Sequence, residues 1–189
     1  MVLIKEQKLL YHLTSLTNIG SVLECGLKPR SALKDFHDVA DKDILSGRAE
    51  HGLDDYVPFH WFSRNPFDGR VQKDRPGELF VLVTVRRTLA KGNNWKIMPR
   101  HPLSSKSFEI YDYEDGFDVI DWDLMQRRDY GDAECKSVCM AECLSPSAVL
   151  SSDFFKIYVP TENISKIVSG KVEQLGLSLE VTVNPRMFG

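Results

Sequence analysis

One glutamate in this chain sits where chemistry would need it. Residues 138–146 read VCMAECLSP. As an extended strand, that stretch places Val138, Met140, Glu142 and Leu144 on one face. A carboxylate among three core residues is costly unless it is paired or lines a cleft. Functional carboxylates occupy such positions because a rigid site can hold them in one geometry. The bland alternatives are a salt-bridged strand glutamate and a helical register that turns Glu142 to water.

The remaining candidates are weaker one by one. Cys135, Cys139 and Cys143 are spaced by four, but zinc ligands usually come as close pairs completed by His or Cys, so small packed thiols are the expected reading and no metal is expected. His12 lies in YHLT between Tyr11 and Leu13, and a lone strand histidine usually serves structure. Arg48 stands in a polar stretch and, taken alone, reads as a solvated arginine. HWFSRNPF sets aromatics beside Arg64 and Asn65, which suits either a stacking floor for a ring or a hydrophobic edge. Walker, GxGxxG, GxSxG and HExxH patterns do not occur, which removes the common phosphate cradles and hydrolase signatures.

The elements that must position these residues follow from periodicity. LLYHLT predicts a strand, then TNIGSVLECGL a short helix with Thr17 as N-cap and Gly26 ending it in the left-handed conformation. YVPFHWF is extended, and Pro58 points it toward a sheet edge or a loop rim. ELFVLVTV is a continuous buried strand, and RRTLAKGNNWKIMPRHPLSSKS reads as basic and irregular. Asp118 to Arg128 predicts one helix, acidic first and basic last. DYGDAECK reads as a polar loop. FFKIYV is a strand, a helix starts near Thr161, and LGLSLEVTV alternates as a half-buried strand. Strands scattered among helices without a βαβ rhythm indicate an α+β fold.

The chain has 189 residues, which suits a single domain over 1–189. A net charge of −3 argues against a globally basic nucleic-acid binder and leaves room for a local basic groove. No signal-peptide pattern and no apolar run near the roughly 20 residues of a bilayer span are present, so reduced thiols in the cytoplasm are expected.

Four stretches taken in order, LYHLTSLTNIGSVLECGL, DDYVPFHWFSRNPF, VIDWDLMQRRDY and MAECLSP, resemble the DarT family of DNA-modifying ADP-ribosyltransferase toxins. The resemblance runs from Leu9 to Val159. It implies an ADP-ribosyltransferase-like fold with a central split β-sheet and NAD, the co-substrate, in the cleft. It also implies transfer of ADP-ribose to a base of single-stranded DNA with release of nicotinamide, and an antitoxin with ADP-ribosylhydrolase activity. A monomer is the default. By the same resemblance His12 and Thr14 lie on the NAD-holding strand, Arg48 is needed for activity, Phe59 begins the strand beside nicotinamide and Glu142 is the catalytic glutamate. The loop from about Arg127 to Lys136 matches the substrate-recognising loop.

Two departures stand out. The family pattern often has Tyr-Phe where this chain has His60 and Trp61, and Phe where it has Cys143. Family branches modify thymine or guanine, and the FHWFSRNPFDGRV variant leans toward guanine.

The chemistry suits these residues. Breaking the nicotinamide–ribose bond builds positive charge on the ribose, which a neighbouring carboxylate stabilises. Glu142 could also take the proton from the base if the base comes within hydrogen-bond reach. Arg48 would neutralise the pyrophosphate or brace the cofactor, and His12 would hold NAD by hydrogen bonds. Trp61 or Tyr130 could stack the unstacked base, and Arg86, Arg87, Lys91, Lys96, Arg100 and Lys106 could follow phosphates. RNA or protein acceptors, and a non-catalytic nucleotide-binding module, are the alternatives.

Overall fold

The apolar run Phe80–Arg86 forms strand β3, buried at every position but its last, in a computed structural model that describes residues 2–33, 52–101 and 109–189. Strand β1, Leu9–Ser15, lies antiparallel along its whole length, from Leu9↔Arg86 to Ser15↔Phe80. On its other side β3 pairs with β6, Lys156–Val159, which in turn pairs in parallel with β7, Glu180–Val183. A second group holds β2, Val57–His60, β4, Lys96–Met98, and β5, Glu142–Ser145. Together they make one seven-stranded sheet in the order β4-β5-β2-β1-β3-β6-β7. The α+β expectation holds.

The sheet is nearly two sheets. β1 and β2 are joined at one register pair, Tyr11↔His60, and part beyond it. Pro58 explains the seam. Its carbonyl faces β1, where it accepts from the His12 ring, so its missing N–H faces the same side and no ladder bond is lost. Pro58 was expected at an edge or a loop rim, yet β2 is an interior strand, because the sheet is open on the side that proline cannot pair.

The larger core lies on one face. Leu10, Val81, Val83, Val85, Ile97, Cys143 and Ile157 meet there with helix α1, Ile19–Cys25, and a long helix, Glu162–Gln174, that follows β6. Thr161 caps that helix as expected, accepting from the Ile164 N–H at 3.4 Å. Gly26 ends α1 at φ 78°, and a Cβ there would meet the Val149 carbonyl oxygen at 2.5 Å. Ahead of α1, Ser15 rather than Thr17 supplies the cap, accepting from Thr17 N within a short 3-10 turn. On the opposite face Leu13, Phe80 and Leu82 pack with Val71 of helix α2, Pro66–Asp74.

Three expectations about local structure are corrected. The "irregular" basic stretch contains helix α3, Arg87–Gly92, and β4, which the sheet stabilises by tertiary pairing that propensity does not register. The single helix over 118–128 is two, α4, Tyr113–Val119, and α5, Trp122–Arg127. Asp121 breaks them by accepting from Leu124 N at 2.9 Å, a new N-cap in mid-run. The polar loop and the start of the VCMAECLSP strand are helix α6, Ala133–Val138. Asp132 accepts from two backbone N–H groups there, and Cys135, Val138 and Cys139 bury one helical face. The final helix is numbered α7.

Candidate active site

Glu142 opens β5 and is 7% exposed. Register sets it directly opposite His60 on β2 and Met98 on β4. His60 in turn faces Tyr11 across the seam. Paired residues share a face, so Tyr11, His60, Glu142 and Met98 form a row that crosses from one half of the sheet to the other. Glu142 thus does lie on a buried strand face beside Leu144, although Val138 and Met140 belong to the helix end and turn before it. The His60 ring, 5% exposed, stacks on Phe67 of α2 with centroids 5.4 Å apart.

His12, Thr14 and Phe59 fall on the alternate positions, toward the larger core. The His12 Nδ1–H donates to the Pro58 carbonyl at 2.8 Å, across the gap where the strands part. That bond puts the proton on Nδ1 and makes Nε2 the acceptor of the neutral ring. Phe59 is fully buried between His12, 5.6 Å away, and Trp95, 5.2 Å away. Thr14 is buried and its hydroxyl accepts from the Asn18 side chain at 3.5 Å. The structure therefore separates Glu142 from His12, Thr14 and Phe59 by sheet face, and the seam is where the two sets adjoin. Arg48 lies outside the described residues.

Of the stretch from Arg127 to Lys136, residues 128–132 link α5 to α6, and the guanidinium of Arg128, φ 51°, lies 4.5 Å from the Phe62 ring centre. The Tyr130 hydroxyl donates to the Arg64 carbonyl at 2.9 Å and staples the loop to the β2–α2 turn. Tyr130 is 39% exposed, as a stacking surface requires, whereas Trp61 is buried in the core and is not a rim. Cys135 and Cys139 donate to the Leu124 and Met125 carbonyls, so these thiols are packing groups, and burial pushes the Cys139 and Cys143 thiols up.

The basic stretch does not form one phosphate track. Arg87 is buried, Lys91 pairs with Glu114 at 2.7 Å, Lys96 pairs with Asp112, and Arg86 lies over Phe155. Arg100 is exposed, and Lys106 lies outside the described residues.

A family model described as "ssDNA thymidine ADP-ribosyltransferase, DarT" matches residues 11–189. The chain belongs to the DarT family. It is an ADP-ribosyltransferase of single-stranded DNA. Of the two bases, the DarT match supports thymine and gives no support to guanine, toward which the FHWF variant leaned.

Solved DarT structures share the fold. Thermus sp. 2.9 DarT in complex with ADP-ribosylated ssDNA has a TM-score of 0.83 and 18% identity, with 97% of each chain covered. The same protein in complex with NAD+ has a TM-score of 0.79 and 16% identity, covering 97% of this chain and 98% of that one. Thermosipho africanus DarTG in complex with ADP-ribose has a TM-score of 0.71 and 21% identity, over 96% of this chain and 51% of that one. A search of curated proteins finds no match.

Within this DarT fold, sequence reasoning overlooked two groups. His60 was noted as a departure from the family pattern but given no role, because its partner on β5 is 82 positions away and only register brings them together. Asp68 was given no role. It is 1% exposed in the first turn of α2, and neither carboxylate oxygen makes a well-formed hydrogen bond among the described residues. Burial raises its pKa to about 7, with the Asn65 side chain and the Arg64 backbone N–H lowering it in part.

Asp68 thus keeps its proton up to about 7 in the folded protein and loses it near 4 once unfolded. Between those values the native state binds more protons, so this group makes stability fall as pH rises. Asp68→Asn is expected to stabilise the protein at pH 8, by up to several kcal/mol on an order-of-magnitude basis, and to change little at pH 4. Chemical denaturation at both pH values checks this. An equal effect at the two would refute the linkage.

Proposed function

We propose that the chain takes ADP-ribose from NAD and that Glu142 is the carboxylate beside the scissile ribose. The observation that supports this best is Glu142 itself, a buried carboxylate on an interior strand, in the row of side chains that crosses the seam of the sheet. A group that costly to bury is retained where charge must be met in one place. Glu142 stabilises the positive charge that builds on the ribose and accepts from its 2′-hydroxyl. Nicotinamide is a cationic leaving group, so no residue has to protonate it.

His12, held by Pro58, presents its ring at the seam for NAD, with Phe59 behind it and Thr14 beside it. Arg48 neutralises the pyrophosphate. Thymine in single-stranded DNA is the acceptor, reached through the loop that Tyr130 staples. Thermus DarT solved with NAD+ and with ADP-ribosylated ssDNA, and DarTG solved with ADP-ribose, are in keeping with this chemistry. An antitoxin with ADP-ribosylhydrolase activity completes the reading. So does a cytoplasmic setting, where free thiols, NAD and replicating DNA coexist. Among the described residues no helix is long and apolar enough to cross a membrane.

The test is incubation with NAD and oligonucleotides that each lack one base. Omitting thymine is expected to remove the adduct of one ADP-ribose, read by mass spectrometry, and omitting any other base is expected to leave it. Matched RNA and protein acceptors are expected to stay unmodified. Adduct on a thymine-free strand would exclude thymine as the acceptor.

A further inference from the structure

We propose that His60 is the general base that takes the proton from thymine, leaving Glu142 to serve the ribose. This rests on the reading of Glu142 and thymine above.

Thymine in DNA carries a single N–H, at N3, because N1 is bonded to deoxyribose. N3 can form a bond to C1′ of the ribose only if it gives up that proton, since its lone pair is otherwise spread into the two flanking carbonyls. A carboxylate is a weak base by type and Glu142 is engaged by the ribose hydroxyl. An imidazole ordinarily titrates near neutrality, where a general base is most effective.

His60 is placed for the task. It is the direct cross-strand partner of Glu142, on the same face of the sheet. Such pairs have Cβ atoms about 4.5–5.5 Å apart, so carboxylate and imidazole can reach neighbouring atoms of one substrate. Stacking on Phe67 fixes the ring plane, and burial keeps the ring from being an ordinary surface histidine. The family pattern often has tyrosine here, a phenol that keeps its proton at neutral pH and so cannot act as a base in its resting form.

Titratable groups lie on the strands and helix that pack against His60. Glu142 on β5 and Tyr11 on β1 face it across the strands, and Asp68 follows Phe67, on which the ring stacks. Glu142 favours the imidazolium once the proton arrives. In the step itself the N3 proton goes to His60, the freed N3 pair forms the bond to C1′, and the C1′–nitrogen pair leaves with nicotinamide. The imidazolium then returns its proton to solvent.

The test compares two oligonucleotides that differ at one position, thymine or 5-fluorouracil, whose fluorine makes the N3–H more acidic. Wild type is expected to modify both at similar rates. His60→Gln is expected to lower transfer to thymine by about 100-fold. Its 5-fluorouracil-to-thymine rate ratio is expected to rise by at least roughly tenfold over wild type, because an acidic N3–H needs less help from a base. Raising the pH should narrow the thymine deficit for the same reason. A variant that is merely misfolded loses both rates equally, and His60→Asn serves if the first variant does not fold. An unchanged ratio, or transfer to thymine at the wild-type rate, overturns the role of His60. If wild type itself ignores the thymine strand, or Glu142→Gln still releases nicotinamide normally, the underlying reading fails instead.

Discussion

Glu142→Gln is expected to abolish ADP-ribose transfer, by on the order of 10³-fold or more, while leaving the fold intact. The substitution keeps the size and both polar ends of the side chain and removes only the charge. Since the carboxylate is 7% exposed on an interior strand, losing its charge relieves a desolvation cost. The melting temperature should therefore stay the same or rise as activity disappears. That opposition separates a catalytic carboxylate from a structural one. A glutamate kept only for a salt bridge would lose stability on amidation, since the partner charge would be left buried, and would leave turnover largely intact. Nicotinamide release and thermal denaturation, measured on the same preparation, decide between them.

The largest stability effect is expected at Arg87. Its guanidinium donates to three backbone carbonyls, those of Leu9 at 3.2 Å, Lys5 at 3.0 Å and Trp61 at 3.0 Å. It also lies 4.8 Å from the Trp61 ring centre and 5.7 Å from that of Trp122. Burial lowers its pKa to about 10, which still leaves it charged at neutral pH. One planar fork thus ties the N-terminal turn, β1 and the chain just after β2 together, next to the seam. Arg87→Met keeps much of the apolar contact and strands three acceptors, the Trp61 carbonyl buried and the other two part-buried, at a cost of roughly 3–5 kcal/mol. In a chain of 189 residues that corresponds to a fall of roughly 10–15 °C in melting temperature. Arg87→Lys should recover less than half, because an ammonium cannot serve three divergent carbonyls as a planar guanidinium fork does. A loss below about 1 kcal/mol for Arg87→Met would show that the carbonyls find other donors.

Arg87 also shows where reading the sequence stops. In the run RRTLAK it is indistinguishable from Arg86. Folding sends Arg87 into the core and lays Arg86 over Phe155 at the surface. The difference comes from alternation at the end of β3 and from partners far away in the chain. Asp68 and His60 escaped for the same reason. Burial of Asp68 comes from what packs over the first turn of α2, and the place of His60 comes from strand register. Helix α6 escaped because a short window cannot separate a three-to-four repeat from a two-residue one, and Asp132 as its cap tipped the balance.

By itself the sequence determined the α+β class, the long apolar strand, the capped helix after β6 and the suspicion attached to Glu142. Those features depend on local periodicity, capping and the cost of a carboxylate in apolar surroundings, which neighbouring residues set. The tertiary structure alone decided that β1 and β2 meet at one register pair beside Pro58, that Tyr11, His60 and Glu142 make one row, and that His12 and Phe59 lie on the other face. Register is a relation between strands distant in the chain. A shift of one residue would exchange the two faces, and nothing in either strand alone says which shift the fold will take.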